Sequence, residues 1–556
     1  MTVRKLRFHV LLVGILGLLG SVGTASGQTV LVTAKSVTEL TDDLESLIKS
    51  VAPEANTMAQ AALNGLSQLR SGAMLKGLDR SRGFGLAVTL PKEFPQGGPP
   101  SVVAAVPVSD LGQFLESLKD LGVAVDDQPG VAGFSHKVTA PNGNPTLFVL
   151  QSKGYALFSL VPDGADQLKI LDPSSWKPKG RPETAFSIKI QLAEIPDALK
   201  DQFLNQVEVN VDQQNERKPG EADAEYQGRI AAQKLSLDAF KSLIQDGDEI
   251  ALDLDLNRKA SEIALELGMR ARPNTSMAKT LRSMQGRRSR FQGLGKDAAL
   301  AAWASFPVSK VLRDWISEGV DKALKEGLKK VDSKEDEKLF ARFGELVKSN
   351  LTAPEIDLGL AVQAPSATSP NTSHIVILSG MRVQDGREFE RLVREAAAKI
   401  KPGENVKLTF DVTKAADGTP IHQMSGPVDD KNAEMAKRFG KASLFFAFRQ
   451  DAILASFGEN GLEPLRRAIE RSSDAPAAGS TESISMVIHL ASLGGFAEKN
   501  EEEFRRAISD VFRGDGAKRD RVYLGLKGED DGIRLRLAID VPALKMLTMI
   551  GNRTKP

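Results

Sequence analysis

Gly85-Leu86-Ala87-Val88, followed by Pro91, returns 274 positions later (359 − 85) as Gly359-Leu360-Ala361-Val362, followed by Pro365. Four small and apolar residues make a weak match by themselves, but the neighbours extend it. Val108, Asp110 and Phe114 return as Val383, Asp385 and Phe389 at an offset of 275. Leu147-Phe148 returns as Leu444-Phe445, and Gly164 with Leu168 as Gly461 with Leu465, both at 297. Ser187, Ile190, Leu192 and Ala193 return as Ser485, Ile488, Leu490 and Ala491 at 298. Further on, Asp248, Leu252 and Leu254 return as Asp520, Leu524 and Leu526 at 272, and Ile263, Leu265 and Leu267 as Ile533, Leu535 and Leu537 at 270. The order never breaks. Two indels account for the steps: extra chain between 389 and 444, and the polar stretch 207–229 of the first half. This is the pattern of an internal repeat. It predicts two diverged copies of one module, at 28–281 and 297–556, joined by a linker at 282–296.

Apolar periodicity gives the module its elements. In the first half, 84–90 and 102–108 alternate as strands, and 110–121 places Leu111, Phe114, Leu115, Leu118 and Leu121 on one helical face. The second half repeats this with 358–363, 375–383 and a helix from Asp385 carrying Phe389, Leu392, Val393 and Ala396 on one stripe. Strand pairs follow at 146–151 with 155–161 and at 443–450 with 452–457. Later pairs come at 250–256 with 263–269 and at 522–526 with 533–539. Each copy opens on a strand and a helical segment, near 29–69 and 298–348. Alternation of apolar and charged residues, as in Ile533-Arg534-Leu535-Arg536-Leu537, belongs to a sheet with one wet face. The expected class is α+β, with antiparallel sheets backed by helices on one side.

Composition narrows the function classes. The 556 residues hold 73 Lys plus Arg against 72 Asp plus Glu, so the net charge of +1 gives no electrostatic footprint for nucleic acid. With no cysteine, disulfides, thiolate nucleophiles, zinc ribbons and a lipid-modified cysteine are excluded. The five histidines, His9, His136, His374, His422 and His489, show no HxxH or HExxH spacing. Three Trp and three Tyr are few for stacking on sugars or single strands. Residues 1–27 read as a secretory leader. Arg4, Lys5 and Arg7 precede the uncharged apolar run 10–22, and small residues follow at 23, 25 and 27. That run is shorter than the ~20 residues of a membrane span. Export to a periplasm or beyond is expected, with no membrane-spanning segment once the leader is cleaved.

The residues that tempt a catalytic reading have plainer ones. Asp110 and Asp385 each precede Gln113 or Glu388 by three at a helix start, which is the spacing of a capping box. His136 and His422 fall at roughly matching points on expected strands, and His374 and His489 lie on other expected strands, all without a spaced ligand partner. Ser276-Met-Ala-Lys279 has S-x-x-K spacing but lacks the S-D-N and K-T-G parts of such sites. Gly293-Leu-Gly-Lys296 echoes a phosphate loop, yet Arg290 and Asp297 stand where Gly and Ser or Thr are needed. Arg282, Arg287, Arg288, Arg290 and Lys296 suit a solvated connector. No catalytic, cofactor-binding or metal-binding residue is assigned, and no cofactor is expected.

In its leader, cysteine-free composition and diverged modular halves, the chain resembles uncharacterised secreted proteins of planctomycete-type bacteria. The resemblance implies an exported location and nothing about residues. The expectation is a non-enzymatic binding or structural protein of the cell envelope, taking an apolar small molecule or an envelope protein as partner. The alternative is a hydrolase whose carboxylates are assembled by the fold.

Overall fold

The computed structural model describes residues 28–52, 57–73, 75–93, 100–127, 130–141, 143–162, 165–176, 181–213, 215–329, 331, 333–365, 374–399, 407–426, 433–473, 482–496, 502–513 and 519–553. The leader expected at 1–27 lies outside them. The chain divides into two units, Met1–Thr280 and Leu281–Pro556, and the fold is α+β.

The first unit contains β1 (Val30–Ser36), β2 (Gly83–Thr89), β3 (Ser101–Pro107), β4 (Ala124–Asp126), β5 (His136–Thr139), β6 (Thr146–Ser152), β7 (Tyr155–Ser159), β8 (Thr184–Gln191), β9 (Gly247–Asn257) and β10 (Glu262–Ala271). They pair antiparallel in the order β10-β9-β8-β1-β2-β3-β7-β6-β5-β4. The second unit contains β11 (Leu300–Pro307), β12 (Glu355–Gln363), β13 (Val376–Arg382), β14 (Lys407–Lys414), β15 (Pro420–Ser425), β16 (Ser443–Phe448), β17 (Ala452–Phe457), β18 (Glu482–His489), β19 (Arg521–Glu529) and β20 (Gly532–Asp540). Their order is β20-β19-β18-β11-β12-β13-β17-β16-β15-β14, again antiparallel.

The registers agree as well as the orders. Gly85 faces Ala105, which faces Leu157, and Gly359 faces Gly380, which faces Leu454. Thr33, Ser187 and Asp253 stand in line in one sheet, as Trp303, Ser485 and Gly525 do in the other. Leu254 meets Leu265 as Leu526 meets Leu535. These partners are separated by the same offsets that the sequence carries.

At the β2–β7 end of the first sheet, both faces are covered. Phe114 and Leu115 of the helix Leu111–Asp120 pack against Val149, Ala156 and Phe158 on one face. Trp176, Ala165 and Leu168 pack against Ala87, Val103, Ala105 and Leu157 on the other. The second sheet repeats this arrangement. Phe389 of the helix Gly386–Lys399 packs on Phe446 and Phe448, and Leu465 and Ile469 of the helix Leu462–Ser473 on Leu378 and Leu454. Helices on one side only was the expectation. Cover on both sides is the finding, because the buried strands of this end carry apolar residues on both faces. The polar stretch 207–229 falls in a helical hairpin, Asp197–Gln213 and Asp223–Asp246, which buries little beyond Lys200 and Leu204.

The segment 282–296 is not a solvated connector. Phe291 is fully buried and Leu294 nearly so, inside the core of the second unit. Three cations ahead of Phe291 are paired with acids of the second unit: Arg282 with Asp531, Arg287 with Glu355 and Arg290 with Asp451. The physical reason lies across the sheet. Gly359 and Gly380 leave a gap beside each other in register. A Cβ on either would come within 2.4 Å of Phe291.

Candidate functional site

Two features of the fold bear on function: an under-covered apolar face on each sheet, and a buried polar cluster in the second unit. The apolar face comes directly from strand alternation. Leu267, Leu252, Ile188, Val32 and Leu86 form one rung across β10, β9, β8, β1 and β2. Leu265, Leu254, Phe186 and Ala34 form the next. The second sheet has the equivalent rungs Leu537, Leu524, Met486, Ala302 and Leu360, and Leu535, Leu526, Ile484, Ala304 and Leu358. Phe186, Leu252, Leu265, Leu267, Leu358, Leu360 and Leu537 remain 36% to 47% exposed, where core positions are below a tenth.

On the reverse face of the first sheet the usual arrangement is inverted. Asp253, Asp255 and Glu266 are buried. Arg181 reaches all three at 2.6, 2.7 and 2.9 Å, while Ser187 and Thr184 donate hydroxyls to Asp253 and Asp255. These are carboxylates assembled by the fold, as a hydrolase would need. Each is already held by the guanidinium, which argues for an ion-pair network.

The polar cluster forms around His422, on β15. Its ring is fully buried among Phe410, Phe446 and Phe448, with centroids 5.3, 5.3 and 5.9 Å away. The backbone N–H of Asp411 donates to Nδ1 at 3.1 Å. Nε2 has no hydrogen-bond partner, and Glu390 Oε1 lies 3.5 Å from it. Arg394, one turn beyond Glu390 in the same helix, donates to Glu390 at 2.9 Å and to Asp411 at 2.7 Å, and stacks on Phe410. That salt bridge holds the Asp411 carboxyl below the usual carboxylate range, and burial pushes the His422 imidazole below its ordinary value.

Glu390, Asp411 and His422 offer ligand atoms within 4.8 Å of one another. The donor set fits a metal ion poorly. Because Nδ1 accepts the Asp411 N–H, the lone pair is there and the neutral ring carries its proton on Nε2. A metal at Nε2 would need the opposite tautomer, and both carboxylates are already engaged, Asp411 by Arg394 and Glu390 by Arg394 and Arg387.

His136 occupies the equivalent place in the first sheet, since it faces Val149 as His422 faces Phe446. Its surroundings differ. It is half-buried, bonded to the Ser135 hydroxyl at 2.9 Å, and lines an open recess of about 610 Å³ with Gly112, Gln151 and Lys169. His489 ends β18 and pairs with Asp520 at 2.9 Å. His374 lies in a bend before β13 and not within a strand. Asp110 and Asp385 cap their helices, accepting from the N–H of Gln113 and Glu388 at 3.0 and 3.1 Å. Ser276, at the start of the helix Ser276–Arg282, donates its hydroxyl to Asp246 at 3.0 Å. Gly293 lies in the short 3-10 turn Gln292–Gly295.

Sequence reasoning found His422 but not Glu390, Arg394 or Asp411. The i, i+4 spacing of Glu390 and Arg394 was a visible signal for a pair. Asp411 carried none, because its role depends on a bulge. No family model and no curated protein matches the chain.

Proposed function

We propose that the protein is exported and serves as a non-catalytic binding protein of the cell envelope, holding an apolar small molecule such as an acyl chain. The single observation that carries this reading is the half-exposed apolar face of each sheet, set against the buried carboxylates Asp253, Asp255 and Glu266 on the reverse of the first. Water is a poor neighbour for such rungs. Full burial of one Leu-sized side chain contributes ~1.5–3 kcal/mol, so covering the rungs leaves several kcal/mol to a ligand that fits them. Leu, Ile, Met and Phe line the face with no cation on those rungs, which favours chain over headgroup contacts. Two such faces fit a duplicated module, and the common strand order and registers support that origin. The leader-like residues 1–27 favour the exported location.

The test is extraction of the protein, purified from its exporting host, with organic solvent followed by mass spectrometry. A stoichiometric lipid or other apolar molecule is expected, and Leu360→Lys and Leu265→Lys should lower its occupancy. A protein that yields no such molecule, and binds no added fatty acid, overturns the proposal.

A further inference from the structure

We infer that His422 is a proton-operated latch, which ties the Asp411 bulge of β14 to β15 when neutral and loosens that bulge when protonated. The inference rests on three geometric facts. Asp411 sits in a bulge, since the β14–β15 register shifts between Thr409 and Thr413. Its φ of +55° is left-handed, a conformation that is strained for a residue with a side chain. And two bonds secure it there: its N–H to His422 Nδ1, and its carboxylate to Arg394.

Nδ1 is the only ring atom that can take a proton, because Nε2 already carries one. A proton on Nδ1 sets two donors facing each other across 3.1 Å, and the bond from Asp411 N–H is lost. The new N–H has an acceptor close by in Asp411 Oδ1, at 3.7 Å from Nδ1, and Nε2–H has Glu390 at 3.5 Å. Both carboxylates are then drawn from Arg394 towards the imidazolium. The backbone tie is exchanged for a side-chain tie, and the left-handed bulge loses its hydrogen bond.

The charged groups around the ring are few. The helix Gly386–Lys399 presents Arg387, Glu390 and Arg394, and β14 brings Asp411, with Lys414 beside it. From β16 come only Phe446 and Phe448. Glu390 and Asp411 act on the ring against Arg387 and Arg394, and burial, the largest influence, favours the neutral form. A histidine whose folded affinity for protons is below the unfolded value stabilises the fold above the unfolded value of 6.5, and that stability is lost as pH falls below it.

The test reads the wild-type protein first. Hydrogen exchange by mass spectrometry follows the amides of 407–414 between pH 7.5 and 5, corrected for intrinsic rates. Imidazole nitrogen NMR follows the ring. Nδ1 is expected to be the unprotonated nitrogen at pH 7.5. Exchange in 407–414 should rise ~10-fold for each unit by which the folded affinity falls short of the unfolded one. His422→Gln, which can accept from Asp411 but cannot titrate, should abolish the acceleration. Three results overturn the inference: an unprotonated Nε2 at pH 7.5, titration of the ring without a change in 407–414, or an equal acid response in a folded His422→Gln protein. If that variant does not fold, the two wild-type readings decide.

Discussion

The two sheets share an order and a set of registers, yet equivalent positions solve the same packing problem with different parts of the chain. In the first, the space above Gly85 is filled by Trp176, from the turn Pro173–Trp176 that precedes β8. A Cβ at Gly85 would lie 2.2 Å from its ring. In the second, the space above Gly359 and Gly380 is filled by Phe291, which arrives from ahead of β11. The strand ladder is therefore the common element, and the plug is interchangeable. Electrostatics diverges at the same positions. Asp253, Asp255 and Glu266 of the first sheet correspond to Gly525, Lys527 and Arg536 of the second, with Glu482 at the place of Thr184. Three acids around one base become two bases beside one acid. Backbone register is set by alternation and pairing, which tolerate either sign provided that each buried charge finds a partner.

That comparison can be broken at the plugs. Phe291→Ala is expected to cost about 3–5 kcal/mol, as a fully buried aromatic does. Peptide-resolved hydrogen exchange should show the loss in β12 and β13. Trp176→Ala should give the corresponding loss in β2 and β3. A Phe291→Ala protein with unchanged protection would return 282–296 to the role of connector. A smaller effect sharpens the charge difference. Arg181→Met leaves three buried carboxylates without their cation and should cost about 3 kcal/mol, read by urea denaturation. Lys527→Met, at an exposed position, should cost under about 1 kcal/mol. Equal costs would mean that the two clusters do the same work. A further small effect tests sameness. Asp110→Ala and Asp385→Ala should each cost about 1 kcal/mol through the same lost cap, each read as protection in its own helix. A twofold imbalance would show that the two helix starts differ in context.

Most of the strand framework was legible in sequence, and the reasons are local. Ile533-Arg534-Leu535-Arg536-Leu537 has the period of a strand, and Asp385 three before Glu388 marks a helix start, so β20 and the helix Gly386–Lys399 lie where those residues put them. What was hidden depends on partners far along the chain. Arg290 reads as a linker cation until Asp451 is beside it, and Phe291 reads as an isolated aromatic until two distant glycines make room for it. Asp411 is invisible as part of a site, because a two-residue slip in the pairing of β14 brings its N–H to His422. The apolar rungs were legible residue by residue. Their exposure was not, since burial is a property of what lies over a face.

The slip in β14 has a further consequence, for how these molecules behave in company. An outermost strand offers its free backbone groups to any passing strand, and a regular one invites chain-to-chain stacking. Among the described residues, β14 pairs only with β15. Its bulge breaks the even spacing that an incoming strand would have to match, and Lys407 and Lys414 stand at its two ends. The counterpart β4 reaches a similar end by brevity, with three residues to offer. Irregularity at one of these borders and shortness at the other make each a poor template for an incoming strand.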